Sequence, residues 1–275
     1  MANLKTVYER PLSTLDTMGE QLAFYLRALR ATPRSATRYP KEVMRLLAEV
    51  TLGSGALAVI GGTVGVITAL TFFTGAQVGL SGYAALNQIG TAAFSGFVSA
   101  YFNTREIAPL VAGIALAATV GCGFTAQLGA MRISEEVDAL EVMAVPSMPF
   151  LVTTRILAGL IAIVPLYVVG LLSSYFATRL TVTQFYGQSV GTYDHYFNQF
   201  LPPGDVLWSF GKVLVFAIVV ILVHCYHGYT ASGGPAGVGV AVGRAVRTSI
   251  VVVNVIDLFL SMAIWGSTTT VRLAG

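Results

Sequence analysis

No charged residue interrupts the chain from Val50 to Thr104, from Ile107 to Met131, from Ile156 to Thr178, or from Val213 to Gly243, histidines being counted as neutral. A charge at the centre of a membrane-spanning helix costs roughly 2.5–3.5 kcal/mol on insertion scales, so gaps of this length mark chain that can lie in a bilayer. A crossing needs about 20 apolar residues at 1.5 Å each. Five spans are expected, at about 52–76, 106–130, 155–177, 206–228 and 247–270. Only 11% of residues are charged and 55% are hydrophobic. A soluble domain carries roughly 25% charge to cover its surface, so most of this surface must face lipid. The expected fold is an all-α polytopic membrane protein, divided into an N-terminal amphipathic region, 1–48, and a transmembrane domain, 49–275.

The second half of the longest gap does not read as a span. It holds Gln77, Gly79, Ser81, Gly82, Asn87, Gln88, Gly90 and Gly96, which suggests an irregular excursion over 77–104, with an extra short helix as the alternative. Lysine and arginine set orientation. Eight lie in residues 1–49, joined by Arg132, Arg155, Arg244 and Arg247 on the same side, against Arg105, Arg179, Lys212 and Arg272 on the other. That bias places the N-terminus in the cytoplasm and the C-terminus outside. It also accounts for the net charge of +3 without a nucleic-acid partner. The charged first forty residues do not read as a signal peptide.

Leu12, Leu15, Met18, Leu22, Tyr25, Leu26 and Leu29 recur at helical spacing, as in an amphipathic helix lying in the membrane interface or packed on a partner; Pro33 and Pro40 are expected to break it. Tyr39, Val43, Leu46, Leu47 and Val50 begin a second amphipathic stretch. Between spans two and three lies an acidic segment with Ser134 as a candidate N-cap, Glu135 and Glu136 in the first turn, then Asp138 and Glu141. Val137, Leu140 and Ala144 line one face, and Met143 precedes the closing prolines Pro146 and Pro149. Such a segment is either a solvated connector or a docking element. The aromatic loop 179–205 suits an interfacial belt or a partner surface.

The glycine run Gly233 to Gly243 lacks the strand and the spacing of a dinucleotide fingerprint and reads as a turn feeding a helix, with Gly239 and Gly243 allowing close packing. A phosphate-binding loop is absent from the sequence, so ATP hydrolysis would have to come from another polypeptide. His224 and His227 lack a third metal ligand, and interfacial hydrogen bonding is the better reading. The two cysteines, Cys122 and Cys225, fall within spans and form no redox motif. Three ionisable residues stand out: Asp257 in mid-span, for which Asn254 or a serine is a candidate partner, and the adjoining Arg105 and Glu106. Intramembrane charge usually faces a bundle interior or a pathway.

The stretch Arg105-Glu-Ile-Ala-Pro109, followed by Gly121 through Met143, resembles the defining block of the MlaE/YrbE permeases, as do Gly228-Tyr229, Gly237-Val-Gly239 and the Asp257 helix. These permeases are membrane subunits of ABC-type lipid transporters that work with MCE-domain proteins. Within the family, the segments Ala100–Asn103, Thr192–Phe197, His224–Tyr226 and Ser232–Gly237 look like the B-type YrbE subunit of mycobacterial-type Mce transporters. The resemblance implies that residues 134–144, with Ser134, Glu135, Glu136, Val137, Asp138, Leu140, Glu141 and Met143, form a coupling helix seated on a cytoplasmic ATPase that carries the ATP and Mg. It implies a lipid path bordered by Arg105 and Glu106, with Asp257 as a further candidate, a second YrbE-type permease as heterodimer partner, and MCE proteins on the outer face of the inner membrane. No catalytic residue and no cofactor of this chain's own are implied. Gln127 departs from the family, which commonly has Glu there, so that carboxylate's role would be absent or supplied by a paralogous partner. The rival readings are an ion-coupled secondary transporter, which would need inverted repeats and several paired charges, a membrane-embedded enzyme, and a non-transporting scaffold.

Overall fold

A computed structural model of the chain describes residues 4–52 and 62–266. Among these, every element is helical, and five helices are long and apolar enough to cross a membrane. In chain order the elements are α1 (Leu4–Arg38), α2 (Pro40–Leu52), α3 (Thr63–Gln88), α4 (Ala92–Ile133), α5 (Glu136–Val142), α6 (Met148–Phe185), α7 (Val190–Gln199), α8 (Pro203–Tyr229) and α9 (Gly234–Trp265). The spanning helices are α3, α4, α6, α8 and α9. Helices α1, α2 and α5 gather at one end of the bundle and α7 at the other.

Several boundaries differ from the sequence reading. The stretch 77–104 is neither an excursion nor a sixth helix. Helix α3 runs on through Gln77 and Gly79 to Gln88, and after a turn at Gly90 (φ +72°) the chain enters α4 directly. Polar and glycine residues there looked like loop chemistry. Gly79 and Gly82 are instead points of close approach, Gly79 to Thr178 and Thr181 of α6 and Gly82 to Val98 of α4, while Gln77, Ser81, Asn87 and Gln88 lie exposed on the same helix. The first span is therefore shifted by about three turns from the expected 52–76; residues 53–61, like 267–270 and Arg272, lie outside the described residues. Pro33 does not break α1, which continues to Arg38, whereas Pro40 opens α2 at its first position, where a missing N–H costs nothing.

Lipid tails are as apolar as leucine, so helices in a membrane associate through close packing and polar contacts. The α3–α6 pairing shows both. A Cβ added at Gly75 would stand 2.4 Å from the backbone oxygen of Ser174, and Thr178 Oγ1 donates to the Gly75 carbonyl at 2.7 Å. By contrast, a Cβ added at Gly239 or Gly243 meets nothing within 4 Å among the described residues, and most of α9 stays unburied. On α1 the apolar stripe Met18, Leu22, Leu26 and Leu29 is exposed, while Phe24 and Ala28 are buried, with Phe24 packed on Tyr226 and Tyr229 of α8. Val43, Leu46 and Val50 of α2 are buried. At the far end α7 is held by Arg179, whose guanidinium forms a forked pair with Asp194 at 2.8 and 2.9 Å and keeps that carboxyl below its usual range.

Gly75→Val is expected to cost about 1–3 kcal/mol through overpacking and to lower the thermal midpoint of the purified protein. Gly19→Ala, where an added Cβ meets nothing within 4 Å, should leave that midpoint unchanged or raised. The Arg179–Asp194 pair is largely exposed and should contribute at most about 1 kcal/mol. Because the native pKa of Asp194 is depressed, this contribution is complete above about pH 4 and disappears as pH falls through the native value. Melting curves of the protein and of Asp194→Asn should accordingly differ near neutral pH and converge in acid.

Candidate functional site

Helix α4 is not a regular α-helix. It opens with a tight turn at Ala92–Phe94 and contains two π-helical stretches, Ser99–Ile107 and Ala117–Gly121. Such bulges re-aim side chains and recur at functional sites. The first carries Arg105 and Glu106. Pro109 has no N–H to offer the carbonyl four residues back, which is that of Arg105. The Lys212 ammonium of α8 donates to that same carbonyl at 2.7 Å.

Lys212 is 0% exposed. Its Nζ pairs with Asp257 Oδ1 at 2.7 Å, reaches Glu106 Oε2 at 3.4 Å and donates to Ser261 Oγ at 2.8 Å. Asp257, Ser261 and Trp265 follow one another at four-residue intervals and so share one face of α9. Trp265 Nε1 donates to Asp205 Oδ1 at 3.0 Å. The other carboxylate oxygen of Asp205 receives Arg105 through Nε at 2.7 Å and Nη2 at 2.6 Å. The guanidinium also lies 4.0 Å from the ring centroid of Tyr101. The cluster thus joins α4, α8 and α9 through two cations and three carboxylates. Glu106 is its most accessible charged member, with 35% of its side chain exposed.

The sequence-predicted Arg105, Glu106 and Asp257 are brought together here. Lys212, Asp205, Ser261 and Trp265 were missed as members. The partner of Asp257 is Lys212, not Asn254, which donates instead to the carbonyl of Ile250. Lys212 had been counted as an outer-side charge, yet it lies inside the expected span 206–228, and a buried ammonium at that depth calls for a carboxylate.

Two further polar contacts cross the bundle. The fully buried His224 of α8 shares a hydrogen bond with Thr125 Oγ1 of α4 at 2.8 Å and another with Ser249 Oγ of α9 at 3.2 Å. Gly121 gives the ring its space, since a Cβ there would stand 2.7 Å from it. Nearer the α5 end, the buried Arg155 of α6 donates to the Leu151 carbonyl at 2.7 Å and to Gln127 Oε1 at 3.2 Å, while Gln127 Nε2 donates to Glu49 of α2. A carboxylate of α2, that of Glu49, thus stands beside Gln127. Beside it, the Arg45 guanidinium holds the Glu42 carboxyl below its usual range.

Helix α5 stands between α4 and α6. Ser134 does not cap it. Its hydroxyl donates back to the Ala130 carbonyl at 2.9 Å and forward to Glu136 Oε1 at 3.0 Å, because α4 ends only at Ile133. The capping position falls to Glu135 in a left-handed conformation (φ +62°), and Ala144 repeats that geometry at the other end (φ +58°). There Val145 N–H bonds to the Leu140 carbonyl and Ala144 N–H to the Glu141 carbonyl, a helix stop that glycine usually occupies. Val137 is buried and Leu140 half-buried. Asp138 pairs with Arg132 at 2.6 Å, and Glu141 accepts from Ser147, which also meets Tyr229 of α8. Val142 and Met143 project, 88% and 64% exposed.

Among the described residues no three potential ligands gather into a metal site. Residues 53–263 match the family described as Permease MlaE. A probable ABC transporter permease protein of Rickettsia bellii is 27% identical over 93% of this chain and 95% of its own. The intermembrane phospholipid transport system permease protein MlaE of Haemophilus influenzae is 26% identical over 71% of this chain and 75% of its own. The chloroplastic protein TRIGALACTOSYLDIACYLGLYCEROL 1 of Arabidopsis thaliana is 32% identical over 60% of this chain and 47% of its own.

Removing the ammonium by Lys212→Met leaves Glu106 and Asp257 facing each other without a counter-charge. The expected loss is about 3–5 kcal/mol, the usual result of breaking a buried ion pair. Pairing it with Asp257→Asn should recover part of that loss, a non-additivity that a double-mutant thermal series on purified protein would measure.

Proposed function

Because the chain belongs to the MlaE permease family, we propose that it is the membrane-embedded, non-catalytic subunit of an ATP-driven lipid transporter, with its ATPase, ATP and Mg on a separate cytoplasmic polypeptide. The lipid part of this reading rests on the phospholipid transport named for the Haemophilus influenzae relative. In this reading the protein lies in the inner membrane with its N-terminus and α5 in the cytoplasm, and pairs with a second YrbE-type permease. MCE-domain proteins receive or deliver lipid at the α7 end.

The observation that carries it is the exposed tip of α5. Val142 and Met143 are large, apolar and outside the spans, on a short helix that also exposes Glu135, Glu136, Asp138 and Glu141. An exposed apolar tip on an acidic helix fits a groove on a partner protein better than it fits water. Ser134, Val137 and Leu140 serve that tip from below by fixing α5 to the bundle. Arg105, Glu106 and Asp257 would border the lipid path, the accessible Glu106 nearest to it. The unburied α7-end half of α9, with Val255, Phe259 and Met262, supports a second permease chain as its cover.

Val142→Ser with Met143→Ser should weaken co-purification of the ATPase at least tenfold and abolish lipid-stimulated ATP hydrolysis in the reconstituted complex, with the melting temperature of the permease unchanged. Undiminished ATPase capture together with undiminished lipid movement would refute the coupling role of α5.

A further inference from the structure

Three cavities meet where α8 hands over to α9 at the α5 end. The first, of about 630 Å³, opens between α1, α8 and α9 against Leu22, Tyr25, Val219, Leu222 and Ile256. The second, of about 460 Å³, shares Thr248 and Val252 with the first and adds Arg244, Arg247 and His227. The third, of about 210 Å³, shares His227 and Arg244 and continues to Thr230, Ser232 and Gly237 in the turn before α9. Followed from α1 to the turn, the lining passes from apolar to cationic to neutral polar.

Neither arginine forms an ion pair among the described residues; Arg247 Nε donates only to the Gly243 carbonyl of its own helix, at 3.1 Å. His227 Nε2 is buried and has no hydrogen-bond partner among the described residues. The 32 residues of α9 are about 48 Å long, well beyond a hydrocarbon core of about 30 Å. Its early turns therefore stand at headgroup level, and basic pockets between helices at that depth suit anionic lipid headgroups.

We propose that the three cavities form one binding site for an anionic glycerophospholipid. An acyl chain lies in the groove between α1 and α8, the phosphodiester meets Arg244 and Arg247, and the headgroup's hydroxyls reach His227, Thr230 and Ser232. The site is separate from the Lys212 cluster: Asp257 lies ten residues beyond Arg247 on α9, about 15 Å along its axis. It holds a lipid of the surrounding leaflet and ties α1 to the bundle, whether or not the chain transports lipid. A second protein chain covering this face would have to bring its own anion to both arginines, whereas a phospholipid carries that anion at the required distance from its tail.

The test is native mass spectrometry and thermal melting of the full-length chain in neutral detergent, titrated with phosphatidylglycerol, phosphatidylcholine or glycerol 3-phosphate. Phosphatidylglycerol should be retained and should raise the melting temperature; phosphatidylcholine should do so far less, and glycerol 3-phosphate not at all. Arg244→Gln with Arg247→Gln should weaken phosphatidylglycerol binding about tenfold or more. Gly19→Leu, which fills the groove from a position where an added Cβ meets nothing within 4 Å, should weaken it with both arginines intact. Unchanged retention of phosphatidylglycerol in both variants overturns the proposal. So does equal stabilisation by glycerol 3-phosphate, which would make this a soluble-phosphate site. A fall in oligomeric mass on arginine replacement, with lipid retention unchanged, would assign the face to a second chain and overturn it as well.

Discussion

A lysine ammonium with none of its surface in contact with solvent, at membrane depth, is the constraint around which the α7 end of this bundle is built. Lys212 can remain charged only if every N–H finds an acceptor and the charge finds a carboxylate. The fold supplies the acceptors as the Arg105 carbonyl and Glu106 carboxylate of α4 and the Ser261 hydroxyl of α9, and the counter-charge as the Asp257 carboxylate one turn before Ser261. The carbonyl is accessible because Pro109 cannot bond to it in the ordinary helical way. Removing the proline, shifting α9 by one residue or straightening the π stretch would each leave the ammonium short of a partner. The register of α4, α8 and α9 is thereby specified by one side chain, more sharply than leucine packing in lipid could specify it.

The same logic repeats at two other depths with weaker groups. His224 spends both ring nitrogens on hydroxyls of the flanking helices, and Arg155 reaches Glu49 only through the amide of Gln127. These contacts join α8 to α4 and α9, and α6 to α4 and α2. Between α3 and α6 the backbones approach through Gly75, and the hydroxyls of Thr178 and Ser173 donate to carbonyls of α3. The bundle is thus held by polar contacts at spaced levels and by close backbone approach between them, as expected where burial from lipid supplies little drive for helix association.

The five spans and the amphipathic α2 were legible in the sequence, because charge-free length and 3.6-residue periodicity report directly on the lipid-facing and core-facing sides. The stretch 77–104 was not. Glycine, serine and asparagine are turn formers in water, but in a membrane they are what lets helices touch, and composition alone does not separate the two uses. Arg105, Glu106 and Asp257 were singled out because charge is costly in a span, and the same rule applied to Lys212 would have paired it with Asp257 without any structure. Trp265 and Ser261 became visible only once Asp257 was known to face inward, since their four-residue spacing then carries them onto the same face. Ser134 misled for a local reason: a serine followed directly by two glutamates suggests a cap only if the preceding helix has already ended.

The cluster at the α7 end and the acidic helix at the α5 end share two rods. Helix α4 carries Arg105 and Glu106 near one end and Arg132 at the other, where Arg132 grips Asp138 of α5. Helix α8 carries Asp205 and Lys212 near one end and Tyr229 at the other, which meets Ser147 beside Glu141. Helix α5 is stopped at both ends by non-glycine residues in left-handed backbone, a conformation costing on the order of 1–2 kcal/mol per residue that survives only where the surroundings over-determine it. Held this way, α5 cannot rotate freely on a loose loop, and a push on its tip is delivered to the ends of α4 and α8 together. On the proposed reading this is how a cytoplasmic event would reach the far side of the membrane. The two helices that receive the push also carry four of the five charges of the cluster, so any relative slide between them alters the distances from Lys212 to the Arg105 carbonyl and to Glu106 at once. A charge cluster balanced on three helices is poorly suited to gradual deformation and well suited to having two arrangements, and it is the accessible Glu106 whose position such a slide would change most directly.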